Sequence, residues 1–249
     1  METEIVEKLK LLVSRFEENE SQYINSGSSY NETELRTDFL NELFQLLGWD
    51  VLNIKGLSKP FREVVLEANV SVEDKGKKPD YEFRLNGERK FFLEAKKPSV
   101  DVLSSKSSIY QARRYGWSAG LPISVLSNFR NLVIYETVTS PTETDDVRIS
   151  RIHEFHYKEY VARFDEITAL LSRDAVLSGS FDKTFVVPVD ERRGRLSFDD
   201  YFLEQIEKWR ILLAADLIKN NPKVTSEELN YLIQVFINRI VFLRICEDR

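Results

Sequence analysis

The sequence predicts an α/β protein in which a mixed β-sheet is flanked by helices and followed by a helical domain. Apolar residues recur at helical spacing in residues 4–18 and 32–47. Short runs rich in β-branched and aromatic residues follow, and Asn86-Gly87 marks a hairpin between two of them. From residue 157 onward the apolar spacing is mainly helical again. We therefore expect a core domain over residues 1–155 and a helical linker or connector domain over residues 156–249.

Each element has its own signals. The second helix is expected to begin at the N-cap Asn31 and to end at Gly48, and a further helix over residues 104–119 should end at Gly120 and Pro122. Strands are expected at Trp49–Ile54, Phe61–Val72, Asp80–Leu85, Glu88–Ala95, Ile123–Leu126 and Leu132–Tyr135. Later helices are expected at Tyr157–Leu171, Phe198–Lys219 and Ser226–Asp248, with a turn-rich stretch at Ser178–Gly194. Because the chain stops in or just after an apolar helix, we expect it to be part of a longer protein.

Composition excludes several classes of protein. The 249 residues contain one cysteine, Cys246, which excludes an internal disulfide and a cysteine-rich zinc site. No run of about eighteen apolar residues is present, and the N-terminus is an acidic amphipathic pattern rather than a signal sequence. These features favour a cytoplasmic protein that does not contact a membrane.

The net charge of −6 is unevenly distributed along the chain. Residues 1–58 carry a net charge of −6, residues 59–130 carry +5, and residues 131–249 carry −5. Because DNA affinity rests largely on lysine and arginine side chains that neutralise phosphates, the basic middle segment modestly favours a nucleic-acid partner.

Three residues of this basic segment have the chemistry of a metal-dependent phosphodiesterase. Asp80 and Glu94 offer carboxylate oxygens for Mg²⁺, and Lys96 offers a cation that can orient or help deprotonate the attacking water. Glu-x-Lys also occurs at residues 73–75 and 88–90, which we place in polar turns. Glu94-Ala95-Lys96 instead ends the apolar run Phe91–Leu93, as expected at the end of a buried strand.

The hairpin register decides whether this site can form. Side chains alternate along a strand, so Glu94 and Lys96 share one face. A plain two-residue turn at Asn86-Gly87 would place Asp80 and Glu94 on opposite faces. We therefore predict a three-residue loop, Leu85-Asn86-Gly87, or an equivalent bulge, that brings Asp80 to the face of Glu94.

The second helix offers a further acid. At about 100° per residue, Glu32 falls on the apolar face and Glu34 on the solvent face. We expect Glu32 to face inward, where a metal site or Arg36 would balance its charge.

Taken together, these residues resemble the nuclease domain of PD-(D/E)XK restriction endonucleases. The resemblance is greatest to the N-terminal domain of type IIG restriction-modification enzymes and of type I restriction motor subunits. The motifs that carry it are Glu32-Thr33-Glu34-Leu35-Arg36, Leu47-Gly48-Trp49-Asp50, Pro79-Asp80-Tyr81, Glu94-Ala95-Lys96-Lys97-Pro98, Gln111-Ala112-Arg113-Arg114-Tyr115 and Ser127-Asn128-Phe129. Gln-x-x-x-Tyr is the most specific of these motifs, and the resemblance covers residues 20–140.

The resemblance implies a restriction-endonuclease-like core and a set of roles. Asp80, Glu94 and Lys96 would be catalytic, with Asp80, Glu94, the Ala95 carbonyl and the accessory acid Glu32 holding Mg²⁺, for which Mn²⁺ can substitute. Gln111, Tyr115, Arg114 and Lys97 would line the site that faces the DNA. The substrate would be double-stranded DNA, cut to leave a 5′-phosphate, in a restriction-modification system that defends against phage.

The resemblance also implies a methyltransferase or specificity domain, either in the same longer polypeptide or in a partner subunit. This chain has no adenine-methyltransferase Asn-Pro-Pro-Tyr/Phe motif and no phosphate-binding loop of the ATPases. An alternative from another class is a catalytically silent DNA-binding or assembly module that keeps the nuclease fold. Intact Asp80, Glu94 and Lys96 favour the enzyme.

Overall fold

The computed structural model describes residues 2–25, 27, 29–67, 78–186, 198–221 and 224–247. The chain divides into two compact units, Met1–Ser197 and Phe198–Arg249. The first unit combines a mixed β-sheet with helices, and the described part of the second unit is helical. The α/β fold class predicted from the sequence is confirmed.

The first unit begins with helices, continues with strands and returns to helices. Its α-helices are α1 (Glu2–Tyr23), α2 (Glu32–Leu35), α3 (Asn41–Leu46), α4 (Lys106–Ser118), α5 (Phe164–Leu171), α6 (Arg173–Leu177) and α7 (Ser180–Phe185). Its strands are β1 (Val64–Leu66), β2 (Tyr81–Leu85), β3 (Glu88–Ala95), β4 (Ile123–Ser127), β5 (Asn131–Glu136) and β6 (Arg151–His156). A π-helical turn, Arg36–Leu40, joins α2 to α3, and 3₁₀ turns occur at Lys59–Phe61 and Tyr157–Glu159.

In the described residues the strands form one six-stranded sheet in their sequence order, from β1 to β6. Every neighbouring pair is antiparallel except β3 and β4, which are parallel. A parallel pair needs a crossover connection, and α4 provides it. The C-terminal ends of β3 and β4 therefore lie side by side at one edge of the sheet.

Helices cover both faces of the sheet. On one face, α1, α2, α3 and α5–α7 pack on the larger core, which includes Phe83, Phe91, Leu93 and Ile134. On the other face, α4 packs on smaller clusters that include Phe92 and Leu126. Strand residues thus alternate between the two cores, as the sequence pattern predicts. Glu94, two residues beyond Phe92, lies on the α4 face.

The hairpin between β2 and β3 reaches the required register by a bulge. Asn86 and Gly87 both have positive φ angles, 53° and 84°, and form a two-residue turn with Leu85 paired to Glu88. The predicted three-residue loop is therefore wrong. The equivalent bulge is confirmed, because the pairing shifts by one residue at Lys90, beyond which Tyr81 pairs with Leu93.

The helical segment after Asn31 is not a continuous α-helix. Asn31 caps α2 as predicted: its side chain accepts from the backbone N–H groups of Thr33 and Glu34, and the Glu34 carboxylate accepts from the Asn31 N–H. One turn later, the backbone hydrogen bonds join residues five apart and form the π-helical turn. The spacing of the apolar residues does not indicate this turn.

Other expectations differ from the structure. Trp49–Ile54 forms turns instead of a strand, because the Asp50 carboxylate accepts from the Ile54 and Lys55 N–H groups. The segment Glu88-Arg89-Lys90 begins β3 rather than a polar turn, and buried Lys90 lies 3.1 Å from Asp182 of α7. Within the segment Phe61–Val72, residues 68–72 lie outside the described residues, and the described strand is the shorter β1, Val64–Leu66.

The first unit extends past the expected boundary at residue 155. β6 adds an edge strand that the sequence analysis did not predict, and α7 lies in a stretch expected to be turns. Apolar residues of α5 to α7, among them Ile167, Leu171 and Phe181, belong to the same core as the sheet. The hydrophobic core of the first unit thus includes residues well beyond the boundary predicted between residues 155 and 156.

The second unit contains two long helices, α8 (Phe198–Asn220) and α9 (Ser226–Glu247), which contact each other. They coincide closely with the helices expected at these positions. Across the described part of the chain, no helix combines the length and apolar character needed to cross a membrane.

Candidate active site

The sheet places Asp80 and Glu94 side by side. Asp80 immediately precedes β2, and Glu94 lies near the end of β3, one position beyond the Tyr81–Leu93 pair. The bulge at Lys90 gives the two acids the same face. Asp80 is also fixed to β3 directly, because its Oδ2 accepts the Ala95 N–H at 2.8 Å. The predicted pairing of Asp80 with Phe92 is wrong, because Asp80 lies opposite Glu94, two residues further along β3. The prediction that Asp80 and Glu94 share one face is confirmed.

The two carboxylates are buried and repel each other. The side chain of Glu94 is 4% exposed and that of Asp80 is 20% exposed. Burial, followed by repulsion from Asp80, raises the pKa of Glu94 to about 7. Burial likewise raises the pKa of Asp80, although Arg36 and Lys96 oppose that shift. Among the described residues, no group donates a hydrogen bond to the buried Oε2 of Glu94.

Lys96 connects the carboxylates to α4. Its backbone N–H donates to the Ser127 carbonyl at 2.9 Å, which fixes the end of β3 against β4. Its Nζ donates to Glu94 Oε1 at 2.6 Å and to Gln111 Oε1 at 3.3 Å. Gln111 Nε2 in turn donates to the Tyr115 hydroxyl at 3.0 Å. The predicted pair on one face of α4, Gln111 and Tyr115, is therefore joined to Lys96 and Glu94 by a continuous chain of hydrogen bonds.

Lys97 and Arg114 lie close to this chain. Lys97 is half-buried and follows Lys96 in the loop that leads to α4, and its carbonyl accepts the Val100 N–H at 2.9 Å. The Arg114 guanidinium lies 5.9 Å from the centroid of the Tyr110 ring, and its charge opposes the raised pKa that burial gives Tyr115. Their contact with DNA stays a prediction.

The loop after Lys96 is held by the turn between β4 and β5. Asn128 Nδ2 donates to the Val100 carbonyl at 2.8 Å, and Asn128 Oδ1 accepts the Asn131 N–H at 2.8 Å. Phe129 follows with a φ of 62°, a conformation that a bulky residue rarely adopts. The Ser127-Asn128-Phe129 motif thus supports, from the neighbouring strand, the edge of the sheet that carries the candidate site.

The prediction that Glu32 faces inward is wrong. Its side chain, like that of Glu34, is exposed at the start of α2. It still lies near the site, because its negative charge contributes to the raised pKa values of Asp80 and Glu94. In the part of the chain that the structure describes, no three His, Cys, Asp or Glu side chains are grouped to hold a metal ion. A role for Glu32 as accessory ligand stays a prediction.

Arg36 has a different partner from the one suggested by the sequence. It was considered as a partner for Glu32, but it binds Asp80, with Nη1 3.0 Å from Oδ1. The spacing of Arg36 from Glu32 could not reveal its contact with Asp80, which lies 44 residues further along the chain. Its place as the last residue of the Glu32-Thr33-Glu34-Leu35-Arg36 motif was the available signal.

A search of characterised proteins shows a relative of this chain. The chain is 46% identical over 245 residues to the "Type II restriction enzyme and methyltransferase RM.Eco57I" of Escherichia coli. The chain is related to a restriction enzyme. The match covers 98% of this chain but 24% of the relative, so the chain spans about a quarter of the protein it resembles.

No protein-family model matches the sequence, and no solved structure matches it. Identity of this level over nearly the whole chain supports the predicted restriction-enzyme-related domain.

Proposed function

We propose that this chain is a Mg²⁺-dependent DNA nuclease domain of the PD-(D/E)XK type that cuts double-stranded DNA in a restriction-modification system. The observation that carries the proposal is the convergence of Asp80, Glu94 and Lys96 at one edge of the sheet. The relative's name, which includes a type II restriction enzyme, supports the same reaction class. A restriction-endonuclease-like core and a type IIG parent that carries a methyltransferase are parts of this proposal.

A divalent cation fits the residues present. Mg²⁺ prefers oxygen ligands and is commonly held by one or two carboxylates, with water completing its coordination. Asp80, Glu94 and the Ala95 carbonyl would supply the protein oxygens, with Glu32 as an accessory acid and Mn²⁺ as a substitute ion. Glu94 Oε2 is buried without a hydrogen-bond donor among the described residues, and the two carboxylates repel each other. Both features favour a cation.

When bound, Mg²⁺ supplies Lewis-acid chemistry to the phosphodiester and lowers the pKa of a water molecule. The chain's own groups position the reactants. An ammonium group has three N–H donors, and the contacts of Lys96 to Glu94 and Gln111 engage two of them. The third can hold the attacking water or a phosphate oxygen, and Gln111 keeps the ammonium aligned while Tyr115 orients Gln111.

The proposal is tested by incubating the chain with unmethylated duplex DNA and Mg²⁺. Wild type should cut, whereas Asp80→Ala and Lys96→Ala should each lower the rate by about 100-fold or more, since each removes a group of the reacting site. Lys8→Ala is the charge-matched control for Lys96→Ala, because Lys8 is exposed on α1 and pairs with Glu4. It should cut like wild type.

Two results would remove the proposal. Equal cleavage by wild type, Asp80→Ala and Lys96→Ala would show that the cutting activity lies elsewhere. An inactive wild type that also binds no Mn²⁺ in calorimetry would replace the nuclease with the catalytically silent DNA-binding or assembly module.

A further inference from the structure

Arg36 makes a partly buried ion pair with the first acid of the proposed site. Its side chain is 13% exposed, and its Nη1 lies 3.0 Å from Asp80 Oδ1. The guanidinium also lies 5.4 Å from the centroid of the Tyr81 ring, next to Asp80 in the chain. Glu67 is a more distant and more exposed partner, at 3.7 Å. The arginine is thus directed mainly at the segment that begins β2.

The π-helical turn explains why Arg36 can reach this segment. The turn closes with a hydrogen bond from the Asn41 N–H to the Arg36 carbonyl, five residues back. In a regular α-helix, residues five apart point about 140° away from each other, whereas the wider π-turn brings them onto neighbouring positions. Asn41 accordingly accepts a hydrogen bond from the Tyr81 hydroxyl at 2.8 Å. Two ends of one turn therefore hold two consecutive residues, Asp80 and Tyr81.

Both oxygens of Asp80 are held in this arrangement. Oδ1 accepts from Arg36, and Oδ2 accepts from the Ala95 N–H. A carboxylate oxygen has two lone pairs, so each oxygen keeps the capacity to bind a cation while its direction is fixed. The positive charge of Arg36 also offsets part of the effect of burial on the pKa of Asp80.

We propose that Arg36 is a positioning residue, which holds the Asp80 carboxylate in the orientation in which it binds the divalent cation. This inference rests on the proposed nuclease function. Residues that orient metal ligands commonly change metal affinity by about 10–100-fold when they are replaced. Arg36 acts through Asp80 and is not itself expected to touch the cation.

The test is a calorimetric titration of the 249-residue chain with Mn²⁺ alone. Arg36→Ala should raise the dissociation constant by about 10–100-fold, as for other residues that orient metal ligands. Arg36→Lys keeps a cation but lacks the planar fork of donors, so its affinity should fall between the two. Arg15→Ala is the matched control: Arg15 hydrogen-bonds the Asp38 carbonyl of the same π-turn and pairs with Glu42, away from Asp80. Its affinity should equal that of wild type.

The titration separates positioning from general damage to the fold. A folding defect lowers the fraction of chains that bind, whereas lost positioning raises the dissociation constant at unchanged stoichiometry. If Arg36→Ala does not fold, Arg36→Lys carries the test, and wild-type affinity in that variant would overturn the inference. Unchanged binding by Arg36→Ala would also overturn it. Tighter binding would overturn it too and would make Arg36 a competing cation. Absence of Mn²⁺ binding by wild type would instead refute the metal site of the proposed function.

Discussion

Replacing Glu94 with glutamine should make the stability of the metal-free chain less dependent on pH. Glu94 is 4% exposed, and its pKa is raised to about 7 from 4.5, first by burial and then by the charge of Asp80. The folded state therefore binds more protons than the unfolded state between these two values. The free energy of unfolding of wild type should fall as the pH rises through this window and level off above it.

The size of the effect follows from the two pKa values. At about 1.4 kcal/mol per pKa unit, the difference between about 7 and 4.5 corresponds to about 3 kcal/mol. Roughly 2 to 3 kcal/mol of this fall lies between pH 5 and pH 8.5. Glutamine cannot ionise, but its carbonyl oxygen can still accept the hydrogen bond of Lys96. Glu94→Gln should therefore lose this part of the pH dependence and gain stability relative to wild type at pH 8.5.

The assay is urea unfolding in EDTA at pH 5 and pH 8.5, followed by near-ultraviolet circular dichroism. Glu18→Gln controls for the loss of one negative charge, because Glu18 is exposed on α1. The reasoning is refuted if wild type and Glu94→Gln lose the same stability between the two pH values. That result would mean that Glu94 ionises in the folded state as easily as in water.

Three further substitutions test the supports of the site. Gly116→Ala brings a methyl carbon into conflict with the buried Ser124 and Thr137 side chains, so either these side chains or α4 must shift, and thermal unfolding should show a loss of about 1–3 kcal/mol; an unchanged melting temperature would contradict the close approach of α4 to β4. Asn128→Ala removes the 2.8 Å bond to the Val100 carbonyl, so amide hydrogen exchange in the loop after Lys96 should accelerate, and unchanged exchange would argue against the clamp. Tyr115→Phe removes the hydroxyl that accepts from the neighbouring glutamine and should slow DNA cleavage while the free energy of unfolding changes by about 1 kcal/mol or less; full activity would exclude the hydroxyl from the site.

The strand positions of the site could be predicted because they depend on local alternation. Phe91, Leu93 and Ala95 lie in the larger core and leave Glu94 on the opposite face, as the period of two predicts. The sequence indicated that the site needs a bulge but did not indicate where the bulge lies. Its position at Lys90 depends on which register buries the aromatic residues of β2 and β3 together, as Phe83 opposite Phe91 shows.

The helical part of the site was predicted less well. The phase of Glu32 was calculated for a regular α-helix, whereas the structure has a capped turn followed by a π-turn. The Glu34 carboxylate caps α2, and Glu32 remains exposed. The strand predicted at Trp49–Ile54 is also wrong, because it was inferred in part from the apolar side chain of Trp49. Its aromatic ring packs on Phe83 and Phe91 in the core, and its Nε1 donates to the Leu171 carbonyl, 122 residues away.

The sequence by itself determined the chemistry of the candidate site. Asp80, Glu94 and Lys96 could be chosen because strand alternation and the length of an apolar run are local properties, although the polar turn expected at residues 88–90 is instead the start of β3. Only the tertiary structure decided that Arg36 holds Asp80 and that Gln111 holds Lys96. Such contacts join distant segments, and they depend on how the bulge, the π-turn and the crossover helix pack against one sheet.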